Sequence, residues 1–220
     1  MLTDSQRLSR QRQLIHPKAA EYSVLIYGAG MLGSWTTHAL ARMVDTVTIW
    51  DGEDVVEVEN IGSQAYCEVD IGEPKGEALM LALNGMRVWH RAERFPLADI
   101  AIPPDIIIAC ADSMQARRDG AEWSGSNGTP LFIDTRAQGL EATIITVGPK
   151  EYGDYLGDLP SDDDMPAIPC GERGTAFVGM FVASRVASIV NIYAAHGLNA
   201  IPKRETWNVQ QAVPFGIERR

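Results

Sequence analysis

The sequence is poor in cysteine and lacks a long uncharged apolar run. Its 220 residues include 3 cysteines, at positions 67, 110 and 170, and none of them forms a C-x-x-C pair. This spacing predicts neither a structural zinc site nor a disulfide framework, so we expect no zinc and a reducing, cytoplasmic setting. No apolar run approaches the roughly 20 residues that a membrane span requires. We therefore expect no membrane-spanning segment.

Positive charge is also scarce. The chain has 19 Lys and Arg against 29 Asp and Glu, a net charge of -10 at pH 7, which argues against nucleic-acid and anionic-membrane partners. Residues 1–12 contain no apolar core, so no secretory signal is expected. The composition, with 45% apolar and 22% charged residues, is typical of a soluble globular protein. The length favours one domain over residues 1–220.

A glycine-rich turn is the most informative stretch that is present. An apolar run over 24–27 predicts a buried strand, three glycines follow at the spacing G-x-G-x-x-G, and residues 35–43 predict a helix. Gly28, Gly30 and Gly33, with Met31 among them, would let the turn tighten and the backbone approach a phosphate. The first amides of such a helix are unpaired and suit an anion. The pattern predicts nucleotide binding.

Other strands are predicted from apolar patterns. Residues 46–50 alternate and end at Asp51, while the continuous apolar run 105–111 predicts a central parallel strand that ends at Asp112. A third strand is a candidate within 87–95, and later strands are predicted at 131–134, at 142–147 and as a pair over 205–217. The predicted fold class is α/β, a Rossmann-like doubly wound, mostly parallel sheet with late antiparallel strands.

Three charged residues lie where such a sheet binds ligands. Asp51, about 20 positions beyond the glycines, is placed to hold a ribose, although Asp51-Gly52 is also a good turn. Asp112 either faces the ligand crevice or caps the next helix, and both roles are compatible. Lys75 follows Pro74, which is suited to a first-turn position, at the start of a helix. A cation there opposes the helix dipole, which indicates a nearby anion.

Three flanking segments complete the predicted organisation. Residues 1–20 form an N-terminal arm, and residues 150–170 are predicted to be a long, mobile, acidic loop of the kind that is often functional. Residues 174–196 predict a long helix that is apolar nearly all round, and such a helix is buried in the core or against a second copy. This second possibility is the basis for expecting a homodimer.

An ordered set of short motifs extends over most of the chain. The set resembles that of the ThiF/MoeB/HesA adenylyltransferases, the bacterial relatives of ubiquitin-activating enzymes, from about residue 7 to residue 196. The glycine turn alone is weak evidence, whereas the order and spacing of the whole set are specific. The matching positions are Arg10-Gln11 and Arg12-Gln13, Gly28 to Gly33, Asp51 and Asp54, Asn60 to Gln64, Gly72 to Lys75, Ala111 to Ser113, and Cys170 to Gly174.

The resemblance implies an activity. In this family a carboxylate, typically the C-terminus of a small ubiquitin-like or sulfur-carrier protein, attacks the α-phosphate of ATP and releases pyrophosphate. Because two anions must meet, positive charge and Mg²⁺ are required. By resemblance, the glycine turn would hold the phosphates, Asp51 the ribose and Asp112 the Mg²⁺, while Lys75 would neutralise the triphosphate.

The resemblance also assigns supporting residues. Asn60, Gln64 and Arg117 would help to place ATP. An N-terminal arginine, either Arg10 or Arg12, would reach the phosphates of the other subunit across a dimer. Cys170 would be placed to accept the activated carrier, but a lone cysteine is commonly a buried structural thiol, and both roles stay open. Cys67 and Cys110 are expected to have no chemical role.

Two departures from the family pattern lead to alternatives. Ser63 stands where an arginine is usual before the glutamine, and the zinc-binding C-x-x-C pairs of many relatives are absent. A catalytically weakened scaffold subunit that pairs with an active homologue is therefore one alternative. An NAD(P)-dependent oxidoreductase is another, because the glycine turn and Asp51 suit a dinucleotide equally well, but it leaves Lys75, Asp112 and Gln64 without a role.

Overall fold

The computed structural model describes residues 9–11, 13–52, 54–93, 95, 100, 102–164 and 174–220. Over these residues an eight-stranded sheet has the order β3-β2-β1-β4-β5-β6-β7-β8. The strands are β1 (Ser23–Tyr27), β2 (Thr46–Trp50), β3 (Val88–Arg91), β4 (Ile106–Ala109), β5 (Leu131–Gln138), β6 (Glu141–Val147), β7 (Arg204–Asn208) and β8 (Val213–Glu218). The α-helices are α1 (Met31–Leu40), α2 (Lys75–Ala82), α3 (Met114–Ser126), α4 (Tyr152–Asp158) and α5 (Ala176–His196).

The sheet has a parallel and an antiparallel part. Strands β1 to β5 pair in parallel, and β6, β7 and β8 add to β5 in antiparallel fashion. The predicted fold class is therefore confirmed. All four residues of β4 are buried, as expected for a central strand that is covered on both faces. The carboxyl ends of β1, β2 and β4 are neighbours, so the ends of these strands meet at one edge of the sheet.

The two faces of the sheet carry separate cores. One core joins alternate residues of the strands, such as Ile26 and Ile108, to α1, α2 and α5. The other joins the intervening residues, such as Leu25 and Ile107, to α3 and α4. This alternation follows from the period of two in a strand, and it leaves the carboxyl edge between the two helix layers.

Helix α5 packs closely against α1. A Cβ atom added to Gly179 would lie 2.5 Å from the Trp35 ring, so only a residue without a side chain lets the helices approach this far. By length and composition α5 is the one helix of the described residues that would suffice to cross a membrane, which the sequence did not predict. Val182, Val186 and Ile189 are nevertheless fully buried in the protein core. The helix thus serves the core.

The prediction of a loop over 150–170 is wrong for the first half of this segment. Residues 152–158 form α4, and Asp162–Asp164 forms a short 3-10 helix. Tyr152 and Tyr155 lie one helical turn apart and pack against Phe132, with ring centroids separated by 6.2 and 5.6 Å. This apolar face stabilises the helix in spite of its acidic composition. The rest of the predicted loop, from 165, lies outside the described residues.

A buried ionic network joins α3 and α4 to β5. Asp134 is fully buried and accepts hydrogen bonds from Arg117, from Arg136 and, at 2.9 Å, from the Tyr155 hydroxyl. Burial alone would raise the pKa of Asp134, but the two guanidinium groups hold it below the ordinary value. The carboxylate is therefore ionised and compensated on both oxygens.

We expect Asp134→Asn to lower the free energy of unfolding by about 3–5 kcal/mol, because it leaves two guanidinium groups without their buried counter-charge. Urea unfolding followed by circular dichroism measures the change. The matched control is Asp45→Asn, which removes a more exposed ion pair with Arg87 and should cost no more than about 1 kcal/mol. A loss at Asp134 no larger than at Asp45 would contradict the prediction.

Candidate nucleotide-binding site

The glycine turn connects β1 to α1 at the carboxyl edge. Gly28 has a φ of +90°, and a Cβ atom there would lie 2.7 Å from the Cys110 carbonyl oxygen. A Cβ on Gly33 would lie 1.8 Å from the Gly28 carbonyl oxygen. A Cβ on Gly30 would meet nothing within 4 Å. The first and third glycines are thus required by packing, whereas the second borders open space.

Helix α1 begins beside that open space. Its N-cap residue is Gly30, which provides no side-chain hydrogen bond to the first turn, and Met31 is the first helical residue. Amides at the start of a helix have no partner within the helix, and they lie at the positive end of its dipole. The turn therefore combines room with unpaired donors, an arrangement that suits a phosphate.

Asp51 lies directly after β2 and faces the glycine turn. Its Oδ1 accepts a hydrogen bond of 2.8 Å from the Ala29 amide. Its Oδ2 is inaccessible to solvent and has no hydrogen-bond partner among the described residues. Burial raises the pKa of Asp51, although the Ala29 bond and nearby Lys75 act against that rise. One oxygen fixes the turn, and the other is an unused acceptor suited to a ligand hydroxyl.

Tyr66 is a residue of this site that the sequence did not predict. Its buried hydroxyl donates a hydrogen bond of 2.7 Å to the Ala29 carbonyl oxygen. The Ala29 peptide is therefore held from both sides, by Asp51 at its amide and by Tyr66 at its carbonyl. No local pattern around Tyr66 indicates this contact, which joins residues 37 positions apart.

The predicted Asn60 to Gln64 segment packs on the first turns of α1. The Ser63 carbonyl accepts a hydrogen bond of 3.0 Å from the Trp35 indole, and the Ala65 amide donates one of 3.0 Å to Ser34. Asn60 is used locally, because its Oδ1 accepts a bond from the Glu57 amide. The side-chain oxygen of Gln64, in contrast, has no such hydrogen bond among the described residues.

The side-chain oxygen Oε1 of Gln64 is buried and has no partner among the described residues. Like Oδ2 of Asp51, it is an unused acceptor close to α1. Of the two side-chain amides predicted to place ATP, Gln64 thus has a buried oxygen without a partner in the described chain, whereas the Asn60 oxygen caps a short 3-10 helix.

Lys75 is the first residue of α2. Pro74 is the N-cap of α2, whereas the sequence predicted that it would lie within the first turn. The Lys75 ammonium lies 3.3 Å from Oδ2 of Asp54, and its side chain is 12% exposed whereas that of Asp54 is 74% exposed. The anion that the sequence indicated near Lys75 is therefore Asp54 in this structure. Because Asp54 is solvated, the pair is weak enough to be exchanged for a stronger anion.

Asp112 is exposed and lies three residues after Ala109, the last residue of β4. The N-cap of α3 is Ser113, whose Oγ accepts a bond of 3.1 Å from the Ala116 amide, so Asp112 is not the cap. Asp162 accepts bonds of 2.5 and 3.1 Å from the Met114 and Gln115 amides. Within the described ranges no group of three or more His, Cys, Asp or Glu side chains is placed to hold a metal.

Arg117 is buried beneath the edge. Its guanidinium donates to Asp134, to the Thr135 carbonyl and to the Ala111 carbonyl, which ties the ends of β4 and β5 together. Only its Nε has no partner in the described part of the chain. A contact between Arg117 and ATP stays a prediction, and the structure adds a supporting role for this residue.

Of the remaining predicted residues, two are described by the structure and two are not. Arg10 is exposed in a turn that precedes the 3-10 helix Pro17–Glu21. Arg12 and Cys170 lie outside the described residues. The Cys110 thiol lies 3.3 Å from Oγ1 of Thr135, and burial raises its pKa to about 11, which disfavours the thiolate form.

The sequence matches a known protein family over most of its length. A profile of the ThiF family matches residues 8–212, nearly the whole chain. The chain belongs to the ThiF family. The family was predicted from the order of the motifs, and this prediction is confirmed. No curated protein sequence matches this ThiF-family chain.

Solved structures with the same fold are distant in sequence. PaaA is 21% identical, with a TM-score of 0.73 over 99% of this chain and 74% of its own. MccB of E. coli, solved with ATP, is 18% identical, with a TM-score of 0.70 over 97% of this chain and 71% of its own. TcdA (CsdL) is 17% identical, with a TM-score of 0.67 over 87% of this chain and 94% of its own. At these identities the likeness shows the shared fold.

The different surroundings of Gly30 and Gly33 lead to a matched pair of variants. We expect Gly30→Ala to fold normally but to bind ATP at least 10-fold more weakly, because the added methyl group enters open space where a phosphate would lie. Gly33→Ala should instead lower the free energy of unfolding, since its methyl group collides with the backbone. Calorimetric titration and urea unfolding measure the two effects. Unchanged ATP affinity in Gly30→Ala would contradict the phosphate assignment.

Asp51 generates a prediction about pH. Because burial raises its pKa above 3.8, the ionised carboxylate lowers the stability of the nucleotide-free protein at neutral pH. We expect Asp51→Asn to raise the free energy of unfolding at pH 7.5, and the gain to shrink as the pH falls through the raised pKa and to vanish below 3.8. Denaturation at several pH values tests this, with the exposed Asp54→Asn as control. Lower stability of Asp51→Asn at pH 7.5 would contradict it.

Proposed function

We propose that this protein is an ATP-dependent adenylyltransferase that activates a carboxylate as an acyl-adenylate and releases pyrophosphate. Membership of the ThiF family supports adenylylation in general. The observation that carries the proposal is the arrangement at the carboxyl edge. Unpaired amides of α1 border open space at Gly30, and Oδ2 of Asp51 is an unused acceptor. The Lys75 ammonium is paired with Asp54 and is near enough to Asp51 to lower its pKa.

Each group would serve one part of the reaction. The α1 amides would bind phosphate oxygens, and Asp51 would accept a hydrogen bond from the ribose. A carboxylate oxygen of the substrate would attack the α-phosphorus, a new P–O bond would form, and the bond to the β-phosphate would break. Pyrophosphate would leave with the bonding electron pair. Lys75, released from Asp54, would stabilise the negative charge that builds up on the transferring and leaving phosphates.

Asp112 would hold Mg²⁺ in this scheme. Its carboxylate is exposed at the end of β4 and, unlike Ser113 and Asp162, is not needed to cap α3. Carboxylate oxygen is a ligand that Mg²⁺ prefers, and this ion is commonly bound by one or two carboxylates together with the phosphates of the nucleotide. When bound, Mg²⁺ supplies positive charge that offsets the repulsion between carboxylate and triphosphate.

The carboxylate would belong to a small protein or peptide. The resemblance implies the C-terminus of a ubiquitin-like or sulfur-carrier protein, and MccB, which shares the fold, has been solved with MccA. A shallow, open pocket lies on the α4 side of the antiparallel strands, and its lining includes Arg136, Lys203 and Arg204 as well as Glu151, Asp158 and Glu218. Arg136 is paired with Asp134 and Lys203 with Glu218, so among the described residues of this lining Arg204 is the cation that would meet the terminal carboxylate of a partner.

A homodimer is part of the proposal. Helix α5 leaves Phe177 and Met180 46% and 47% exposed on the surface, a place suited to a second copy. The arm approaches the same helix, since Asn191 bonds both to the His16 amide, at 2.8 Å, and to the Leu14 carbonyl, at 3.0 Å. Arg10 or Arg12 would then be carried toward the other subunit. We propose a cytoplasmic location, consistent with the cysteine pattern.

A catalytically weakened scaffold subunit is the second candidate. Ser63, which replaces the usual arginine, is the observation that favours it, because one positive charge is missing from the triphosphate side. Such a subunit would bind ATP without forming an adenylate. Family membership gives no support to the oxidoreductase alternative.

Exchange of labelled pyrophosphate into ATP in the presence of candidate carrier C-termini distinguishes the two candidates. We expect Lys75→Ala to reduce exchange by about 10²–10³-fold, the effect of removing one group that stabilises transition-state charge. Its free energy of unfolding should change by less than about 1 kcal/mol, because the pair with Asp54 is solvent-exposed on one side. The exposed Lys150→Ala is the matched control. ATP binding without exchange in the unmodified protein would favour the scaffold.

A further inference from the structure

His90 lies on β3, next to the strand that precedes Asp51. Strands β2 and β3 are parallel neighbours, with Ile49 paired to His90. Since side chains alternate along a strand, Asp51, two residues after Ile49, extends from the same face of the sheet as His90. The two side chains therefore lie at the carboxyl ends of adjacent strands, on the face that is covered by α1 and α2.

The His90 ring is held tightly by α2. A Cβ atom added to Gly76 would lie 2.0 Å from Cδ2 and 2.5 Å from Nε2 of His90. The first turn of α2, which carries Lys75, thus leaves room for an imidazole ring only because position 76 is glycine. This close contact restricts the ring and places its Nε2 next to the start of the helix.

The polar atom of that ring has no partner. Nε2 of His90 is inaccessible to solvent and makes no hydrogen bond to the described residues, and the same is true of Oδ2 of Asp51. Roughly 90% or more of buried polar groups in proteins have a partner, and an unpaired one costs about 1–3 kcal/mol. What distinguishes these two atoms is their place on adjacent strand ends next to the predicted ribose position, which suits a ligand with two neighbouring polar groups.

We propose that His90 is a second ribose-binding residue of the nucleotide site. One hydroxyl of the vicinal diol donates a hydrogen bond to Oδ2 of Asp51, and the neighbouring hydroxyl bonds to Nε2 of His90. Nε2 accepts or donates according to which ring nitrogen carries the proton, and a hydroxyl can match either state. This inference rests on the proposed function only in that the site binds a ribonucleotide.

Nucleotide affinity is the measurement that tests the role of His90. Calorimetric titration with ATP, 2′-deoxyATP and 3′-deoxyATP is carried out on the full chain and on His90→Leu. We expect the unmodified protein to bind ATP at least 3-fold more tightly than either deoxynucleotide. In His90→Leu, ATP affinity should fall about 3–10-fold, the worth of one hydrogen bond. Affinity for one of the two deoxynucleotides should stay unchanged, so that discrimination at that hydroxyl is lost.

Two further variants separate binding from packing. His38→Leu is the matched control, because Nε2 of His38 is also buried without a partner in the described chain but lies near the end of α1. It should keep the full discrimination. His90→Gln, whose amide can reach the position of Nε2, should recover discrimination. If His90→Leu fails to fold, His90→Gln and His90→Asn decide the matter, since the shorter Asn should lose the discrimination that Gln retains.

The outcomes distinguish this inference from the proposed function. If His90→Leu keeps the discrimination of the unmodified protein, or loses affinity equally for all three nucleotides, the ribose role is overturned while adenylylation stands. If discrimination is lost as expected but the unmodified protein shows no pyrophosphate exchange, adenylylation is overturned and the ribose role stands. If the unmodified protein binds none of the nucleotides, both are overturned.

Discussion

The close approach of α1 to the end of β1 is the constraint on which the rest of the structure depends. The Gly28 carbonyl and the first turn of α1 are so near each other that position 33 has no room for a side chain. The Ala29 peptide between them is fixed at its amide by Asp51 and at its carbonyl by Tyr66. With this peptide fixed, the direction of α1 is set. Helix α5 then packs against α1, where Gly179 contacts Trp35.

The buried carboxylates of the core and of the carboxyl edge differ in how many hydrogen-bond partners they have. In the core, even the ionised Asp134 has a partner on each oxygen. At the carboxyl edge, polar atoms of Asp51, Gln64 and His90 are buried without partners in the described residues. Unpaired polar atoms reduce stability, and a bound nucleotide would recover that loss. Unpaired atoms also occur in the described core, on Tyr27, Thr36 and Thr129, so it is the position at the strand ends that makes those of the edge candidates for ligand contacts.

Local patterns in the sequence were sufficient for the sheet and for the glycine turn. The spacing of the glycines and the apolar run before Asp112 depend only on neighbouring residues, so the strand β4 and the turn after β1 were predictable. Tyr66 and His90 were not, because their contacts join distant segments and no periodicity marks them. Helix α4 was missed because its acidic residues obscured the one-turn spacing of Tyr152 and Tyr155, whose apolar partner, Phe132, lies on another element.

N-terminal capping also differs between α1, which follows β1, and α3, which follows β4. The positive end of α3 is already neutralised by the Asp162 carboxylate, and the Ser113 hydroxyl satisfies a further amide. The corresponding end of α1 has no side-chain cap. An incoming polyanion is therefore attracted to one helix and screened from the other. In the proposed reaction this asymmetry would direct the phosphate tail of the nucleotide toward β1, and the substrate carboxylate would approach from the side of β4.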